Sequence, residues 1–167
     1  MTNDNARVYV STYAKYSNGI LKGAWLSLDS YTSLEEFNDA CVVLHADEVN
    51  PEFMLQDFEG IPRIFCTESS LDARVFEWLA LDEHDREIVD AFLECIGDSP
   101  NVFENSLAAY QGQYDNDADF AYECVESTGM LQGVAESIKR YFDYDAFARD
   151  LMFDYSSHNN YYFSTNW

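Results

Sequence analysis

Four carboxylates in the middle of the chain recur at the spacing of one helix face. Glu83, Glu87, Asp90 and Glu94 fall within about 60° of arc at 100° per residue and span about 16 Å of helix axis. The apolar residues centre on the opposite side of this helix, at Ile88, Val89, Phe92, Leu93 and Ile96. Like charges one turn apart cost a few tenths of a kcal/mol per pair. On a single helix such a row of acids is typical of an ordinary solvated face.

Two further predicted helices repeat the arrangement, each with acids opposite an apolar face. The acids assigned to the first of these rows are Glu35, Glu36, Asp39 and Asp47. Those assigned to the second are Asp115, Asp119, Glu123 and Glu126. No Lys or Arg occurs from Gly23 through Pro62, nor from Glu87 through Ile138. Three acidic rows without basic partners indicate a functional anionic surface.

The charge of the whole chain supports this interpretation. The sequence has 31 Asp and Glu against 9 Lys and Arg, a formal net charge of −22. Duplex DNA carries about one charge per 1.7 Å, so this charge matches about 37 Å of duplex. A field of one sign favours a cationic groove of the kind that holds DNA, and we predict that the twelve carboxylates imitate phosphates. A halophilic protein, whose acids serve solvation, is an alternative that the composition leaves open.

Catalytic and metal-binding patterns mostly fail. Asp115-x-Asp117-x-Asp119, with Glu126 in twelfth place, imitates a calcium-binding loop, but Phe120 stands where the sharp turn needs Gly. Acidic calcium binding, or hydrolysis by an acid pair in an unrecognised cleft, therefore stays only as an alternative. There is no H-E-x-x-H, C-x-x-C, G-x-S-x-G or Gly-rich phosphate loop. We predict no catalytic residue, no metal ligand and no cofactor.

The elements that must position these acids are those of an α+β fold. The 12 Tyr and 12 Phe are incompatible with an acidic disordered tail. No apolar run suggests a membrane span, no signal-peptide core is visible, and the four separated cysteines are typical of reduced thiols. A capping box at Ser33 and Glu36 begins one helix, Ser70 is predicted to cap a second, and Asp82 to open a third. Helices are also expected after Ser99-Pro100, over 117–128 and around 144–153, with strands at 7–13, 23–28, 112–115 and 160–165 and a strand or irregular loop at 53–58. The boundaries divide the chain into an N-terminal α+β lobe (1–62), a helical lobe (63–98) and a C-terminal α+β lobe (99–167).

Several stretches resemble the ArdA antirestriction proteins over nearly the whole chain. They include VYVSTYAKYSNG at 8–19, DEVNPEFMLQDFE at 47–59, GQY at 112–114, DFAYE at 119–123 and YDAFARDL at 144–151. The stretch MLQGVAESIKRYF at 130–142 is similar to the antirestriction motif of that family, LLADVPETVALYF. The two agree at Leu131, Val134, Glu136, Tyr141 and Phe142, and the departures include Gly133, Ala135 and Arg140, where the family has Asp, Pro and Leu.

The resemblance implies a thin, curved, three-lobed α+β protein that dimerises and imitates bent B-form DNA. Its implied partner is the type I restriction-modification enzyme, whose DNA channel it occupies without catalysis. The chain itself is expected to bind neither nucleic acid nor membranes, and to act in the bacterial cytoplasm on behalf of mobile DNA. Because the motif lies near the dimer contact in that family, the residues implied at the interface are Leu131, Val134, Ile138, Tyr141 and Phe142.

Overall fold

A computed structural model describes residues 5–167. The chain divides into two compact units, Met1–Arg86 and Glu87–Trp167, and helix α4 crosses the boundary. Within residues 5–167 there are eight α-helices and two three-stranded antiparallel sheets, which confirms the mixed α+β class. The division into lobes 1–62, 63–98 and 99–167 stays a prediction.

The sheet of the first unit is formed by β1 (Arg7–Thr12), β2 (Ala24–Ser27) and β3 (Phe53–Glu59), in the order β2-β1-β3. Val8 and Val10 of the central strand are fully buried, while Tyr9 between them meets Trp25 edge-on. This alternation is what a strand with one covered face requires. The predicted strands at 7–13 and 23–28 are confirmed to within one or two residues, and the segment 53–58, left open between strand and loop, forms a strand.

The helices of the first unit are α1 (Tyr13–Ser17), α2 (Leu34–Leu44) and α3 (Arg74–Ala80), followed by the start of α4 (Glu83–Cys95). Short 3₁₀ turns lie at Leu28–Ser30 and Arg63–Phe65. Asp82 begins α4 as predicted, because its Oδ1 accepts a hydrogen bond from the Asp85 amide at 2.8 Å. The prediction that Ser70 caps α3 is wrong: the Asp72 carboxylate accepts from the Arg74 amide at the start of this helix instead.

The sheet of the second unit is formed by β4 (Tyr110–Gln113), β5 (Tyr155–His158) and β6 (Tyr161–Ser164), in the order β4-β6-β5. Its further helices are α5 (Val102–Ala109), α6 (Asp117–Thr128), α7 (Glu136–Lys139) and α8 (Tyr144–Leu151). One face of the sheet, with Tyr161 and Phe163, packs against α4 and α5. The other face carries Tyr162, whose ring lies 4.7 Å from that of Phe120 on α6. Helices therefore cover both faces of β6.

Three local features of this unit were not predicted from the sequence. The buried face of α5 is formed by Val102, Ser106 and Ala109, whereas Leu107 is exposed. Asn116 caps α6, so the cap lies one residue before Asp117. Strand β5 was not predicted, and it forms a hairpin with β6. In the described part of the chain, none of the helices is both long and apolar enough to cross a membrane.

Candidate anionic interface

Three of the predicted carboxylates lie exposed on α2. Glu35, Glu36 and Asp39 face solvent, while Phe37 and Cys41 on the opposite side are buried. Glu36 is held at the helix start, since its Oε2 accepts from the amide of Thr32 at 2.7 Å and from the Thr32 hydroxyl at 3.0 Å. These hydrogen bonds lower the pKa of Glu36, the amide contributing most. The predicted capping box is thus present, although Glu36 reaches one residue further back than Ser33.

Asp47 does not belong to this row, contrary to the prediction. Helix α2 ends at Leu44, and Asp47 lies in the turn beyond it. Its two carboxylate oxygens accept from Nζ of Lys22 at 2.8 Å and from Nζ of Lys15 at 2.9 Å. The Lys22 bond, followed by the Lys15 bond, holds the pKa of Asp47 far below its usual range. Two cations of the protein therefore already compensate this charge.

The ammonium of Lys15 is the centre of a buried polar cluster. Lys15 is 5 % exposed, and its Nζ lies 2.8 Å from a Glu48 oxygen and 2.8 Å from Nδ1 of His45. Because an ammonium only donates, Nδ1 must accept and Nε2 must carry the proton that His45 donates to the Val10 carbonyl. Burial is the main cause that lowers the pKa of His45. The cluster ties α1, β1 and the turn after α2 together.

The acids of α4 lie on the side of the helix away from its core. Glu83, Glu87 and Glu94 are exposed and Asp90 is half-buried, while the buried residues of the helix are Ile88, Val89, Ala91 and Phe92. Glu83, the first residue of α4, belongs to the first unit and the other three acids to the second. Glu87, Asp90 and Glu94 line one concavity of about 480 Å³, together with His158 and Tyr161. The predicted face of this helix is confirmed.

One α4 acid is fixed by a hydrogen bond from the sheet. The hydroxyl of Tyr161 donates to Oε2 of Glu87 at 2.5 Å. Burial, followed by this hydrogen bond to the carboxylate, raises the pKa of Tyr161 to about 12. The phenol therefore remains a donor at neutral pH.

The acids assigned to the third row, Asp115, Asp119, Glu123 and Glu126, are all exposed. Asp119, Glu123 and Glu126 lie on α6, and Asp115 lies just before the Asn116 cap. Phe120, Ala121 and Val125 form the buried side of this helix. Because residues 117–128 are helical, they cannot wrap a cation as the twelve-residue loop of a calcium site does, and that alternative fails at this segment.

Asp117 is a fixed carboxylate that was not predicted as part of the acidic row. The hydroxyl of Tyr162 donates to its Oδ1 at 2.7 Å, and Asp117 itself is exposed. In the sequence, Asp117 stood out only as one of the alternating aspartates, 115, 117 and 119, of the calcium-loop pattern. It lies at the start of α6, where the helix dipole stabilises a negative charge.

Four cations of the described chain pair with acids outside the three rows. Ion pairs join Arg7 to Glu59, Lys15 to Glu48, Arg74 to Asp72 and Lys139 to Glu136. Within residues 5–167, no side-chain hydrogen bond or ion pair engages seven of the predicted acids, Glu35, Asp39, Glu83, Glu94, Asp115, Glu123 and Glu126. The rows thus keep negative charge that the rest of the chain does not neutralise, and this charge is available to an external cation.

The segment predicted at a dimer contact has an uneven exposure. Ile138 and Tyr141 are 60 % and 74 % exposed, whereas Leu131, Val134 and Phe142 are half-buried. The ring of Phe142 packs within its own unit, 4.8 Å from that of Tyr144. Only part of this segment therefore offers free apolar surface, and its role in dimerisation stays a prediction.

Comparison with known proteins places the chain in a family. The family model described as Antirestriction protein (ArdA) matches residues 8–163, which is nearly the whole chain and includes all three acidic rows. Comparison with curated protein sequences gave no match. Since the family match extends across both units, the chain belongs to the ArdA family of antirestriction proteins.

Proposed function

We propose that this protein blocks restriction by occupying the DNA-binding channel of a type I restriction-modification enzyme as a mimic of DNA. Family membership supports the antirestriction function. The observation that carries the proposal is the set of exposed carboxylates, on α2, α4 and α6, that no cation of the described chain pairs. Such an inhibitor would protect incoming mobile DNA in the bacterial cytoplasm.

The binding force in this mechanism is electrostatic. Lys and Arg of the channel normally meet phosphates, and here carboxylates take the place of the phosphate oxygens. A protein of net charge −22 approaches a positive channel rapidly, and salt weakens the attraction because exposed charges are screened beyond about 8 Å at 0.15 M. Inhibition is competitive because the protein and DNA occupy the same channel, and it is reversible because no covalent bond is made or broken.

Recognition of this kind does not depend on the target sequence of the enzyme. Phosphate contacts position a protein on DNA, whereas base edges specify the sequence. Carboxylate rows reproduce only the first of these signals. We therefore expect enzymes with different target sequences to bind the protein with similar affinities when their channels carry similar charge.

The mimic is proposed to act as a homodimer, with Ile138 and Tyr141 at the contact together with Leu131, Val134 and Phe142. The exposure of the first two side chains supports this choice. A second copy would extend the carboxylate rows and double the number of phosphates imitated. Sedimentation equilibrium of the wild type and of Tyr141→Asp tests the contact: a dimer that the substitution does not weaken contradicts it.

The proposal is tested by competition on a purified type I enzyme. A fluorescent duplex bound to the enzyme is titrated with the protein at 0.05, 0.15 and 0.3 M NaCl, once with and once without the enzyme's target sequence. Displacement should occur with both duplexes and should weaken steeply with salt. Failure to displace either duplex at the lowest salt would refute the mimicry.

The same samples separate the mimic from a halophilic protein. Circular dichroism at 0.01 M and 1 M salt should give the same folded spectrum, because neither the ion pair of the buried Lys15 nor the packing of the hydrophobic core depends on added salt. Loss of structure at low salt would instead favour acids that serve solvation.

A further inference from the structure

Adjacent tyrosines on β6 each hold one carboxylate, and the two carboxylates belong to different helices. Tyr161 donates to Glu87 on α4 at 2.5 Å, and Tyr162 donates to Asp117 on α6 at 2.7 Å. Successive side chains of a strand point to opposite faces. The central strand of the sheet therefore anchors one anion on each of its two faces.

Both phenols are buried and held as donors to these carboxylates. Tyr161 is 6 % and Tyr162 3 % exposed, and each ring packs within the second unit, on Tyr110 and on Phe120 respectively. Burial and the hydrogen bonds to Glu87 and Asp117 raise the pKa of both phenols, so neither ionises in the pH range of a binding assay. Their rings are fixed by packing, and the direction of each O–H bond is fixed by its acceptor.

Each anchored carboxylate keeps acceptors for a partner. An ionised carboxylate has about four lone-pair sites, and one phenol uses one of them. Glu87 and Asp117 remain exposed on their other sides. A free Glu side chain loses rotamer freedom when a cation binds it, whereas an anchored one has lost much of that freedom beforehand. Glu94, one helix turn from Asp90, has no such anchor within residues 5–167.

We infer that Tyr161 and Tyr162 are positioning residues of the anionic surface, which hold Glu87 and Asp117 ready for Lys or Arg side chains of the restriction enzyme. This inference rests on the proposed function, since it concerns the same surface. Two buried, uncharged tyrosines would thus affect the affinity for the enzyme, although they do not contact it. Asp117 also joins the carboxylates that meet the partner.

The test compares three Tyr→Phe substitutions on the same sheet. Tyr161→Phe and Tyr162→Phe each remove one anchoring hydroxyl and keep the ring. Tyr155→Phe is the matched control: its ring packs 4.9 Å from Phe120, and its hydroxyl makes no hydrogen bond within residues 5–167. Affinity is measured by displacement of a fluorescent duplex from a type I enzyme, and folding by circular dichroism and thermal unfolding. We expect Tyr161→Phe and Tyr162→Phe to weaken binding by about threefold to tenfold, with Tyr155→Phe unchanged.

A double-mutant cycle separates positioning from a general structural effect. Tyr161→Phe is introduced into the wild type and into Glu87→Gln, and Tyr162→Phe into the wild type and into Asp117→Asn. If each tyrosine acts through its carboxylate, its removal weakens binding in the wild type and has little effect once the negative charge is gone. An equal loss in both backgrounds, or no loss in the wild type, overturns the inference. If the wild-type protein does not displace DNA at all, the proposed function fails and not only this inference.

Discussion

Reversal of two charges on α4 tests whether its acidic row contacts the enzyme. We consider Glu87→Lys combined with Glu94→Lys, both at exposed positions in the second unit. One pair of opposite charges 5 Å apart is worth about 0.8 kcal/mol in water. Each reversal replaces an attraction with a repulsion, so the two together cost about 3 kcal/mol, or about 200-fold in affinity at low salt. Screening at 0.15 M reduces this loss to about 10- to 20-fold.

The same change should leave folding nearly unaffected. Asp90 lies three residues from position 87 and four from position 94, so either new lysine can form a favourable pair with it, worth about 0.2–0.5 kcal/mol. Position 94 is also near the end of α4, where a positive charge is favourable. The loss of the Tyr161 hydrogen bond to Glu87 opposes these gains by about 1 kcal/mol. We therefore expect the free energy of unfolding to change by less than about 1 kcal/mol.

The assay is DNA displacement from the enzyme, with urea unfolding as the parallel measurement. The matched control is Glu77→Lys combined with Asp150→Lys, two exposed positions outside the three rows that change the net charge by the same amount. We expect the control to weaken binding by less than about threefold at 0.15 M, where distant charges are screened. A folded α4 variant that binds as the wild type does would refute the role of this row. Equal losses in both variants would show that total charge, and not its location, determines affinity.

Three further outcomes follow from the Lys15 cluster and from α6. Lys15→Met should lower the free energy of unfolding, measured in urea, by about 3 kcal/mol, because the part-buried Glu48 carboxylate loses its cation. The control Lys22→Met removes an exposed lysine from Asp47 and should lower it by less than about 1 kcal/mol. Equal losses in the two variants would contradict the buried role of Lys15. The pKa of His45 in the folded protein lies below its usual 6.5, so the unfolded chain takes up a proton at this histidine before the folded protein does as the pH falls. The free energy of unfolding should therefore decrease from pH 7 to 5, and His45→Gln should abolish that decrease. A second decrease, near the usual carboxyl range, should remain because the folded-state pKa values of Asp47 and Glu48 are lowered. Isothermal titration with calcium should give no saturable uptake at 0.1 mM, because the residues that resemble a calcium-binding loop are helical in α6. Saturable binding that Asp119→Asn abolishes would show that α6 unfolds to bind the ion.

Local signals in the sequence predicted much of the fold. The Ser33 hydroxyl accepts from the Glu36 amide, so the capping pattern found the start of α2, and the 3.6-residue period found the acidic and apolar sides of α4. The range of α6 was predicted to the residue because a polar cap precedes it and Gly129 follows it in a left-handed conformation. Each of these features depends on residues within a few positions of one another.

The missed elements have short or polar sequences. Helix α1 has five residues, and the Thr12 cap that begins it reads equally well as the end of a strand. Strand β5 is rich in serine, yet the turn after it carried a usable signal: Asn159 and Asn160 both have positive φ, as a tight hairpin turn requires. That pair of asparagines would have predicted the hairpin.

The site was less predictable than the fold because its decisive contacts are long-range. Asp47 was placed in an acidic row because it follows α2, but Lys15, 32 residues earlier in the chain, removes it from that row. The anchors on Glu87 and Asp117 come from residues 74 and 45 positions away. Helical periodicity predicts which way a side chain points, and it carries no information on what meets that side chain from another element.

The position of β6 in the sheet has a consequence for synthesis of the protein. β6 is the central strand, although it is the last element of its unit to leave the ribosome. Tyr110 of β4 therefore cannot pair with Phe163 until β6 has been synthesised. At about 5–20 residues per second, the amphipathic helices made before β6 spend several seconds without the sheet that covers their apolar sides. During this interval the mutual repulsion of their acids should keep nascent chains apart, so the charge that we propose to imitate DNA would also protect the chain from aggregation before the sheet closes.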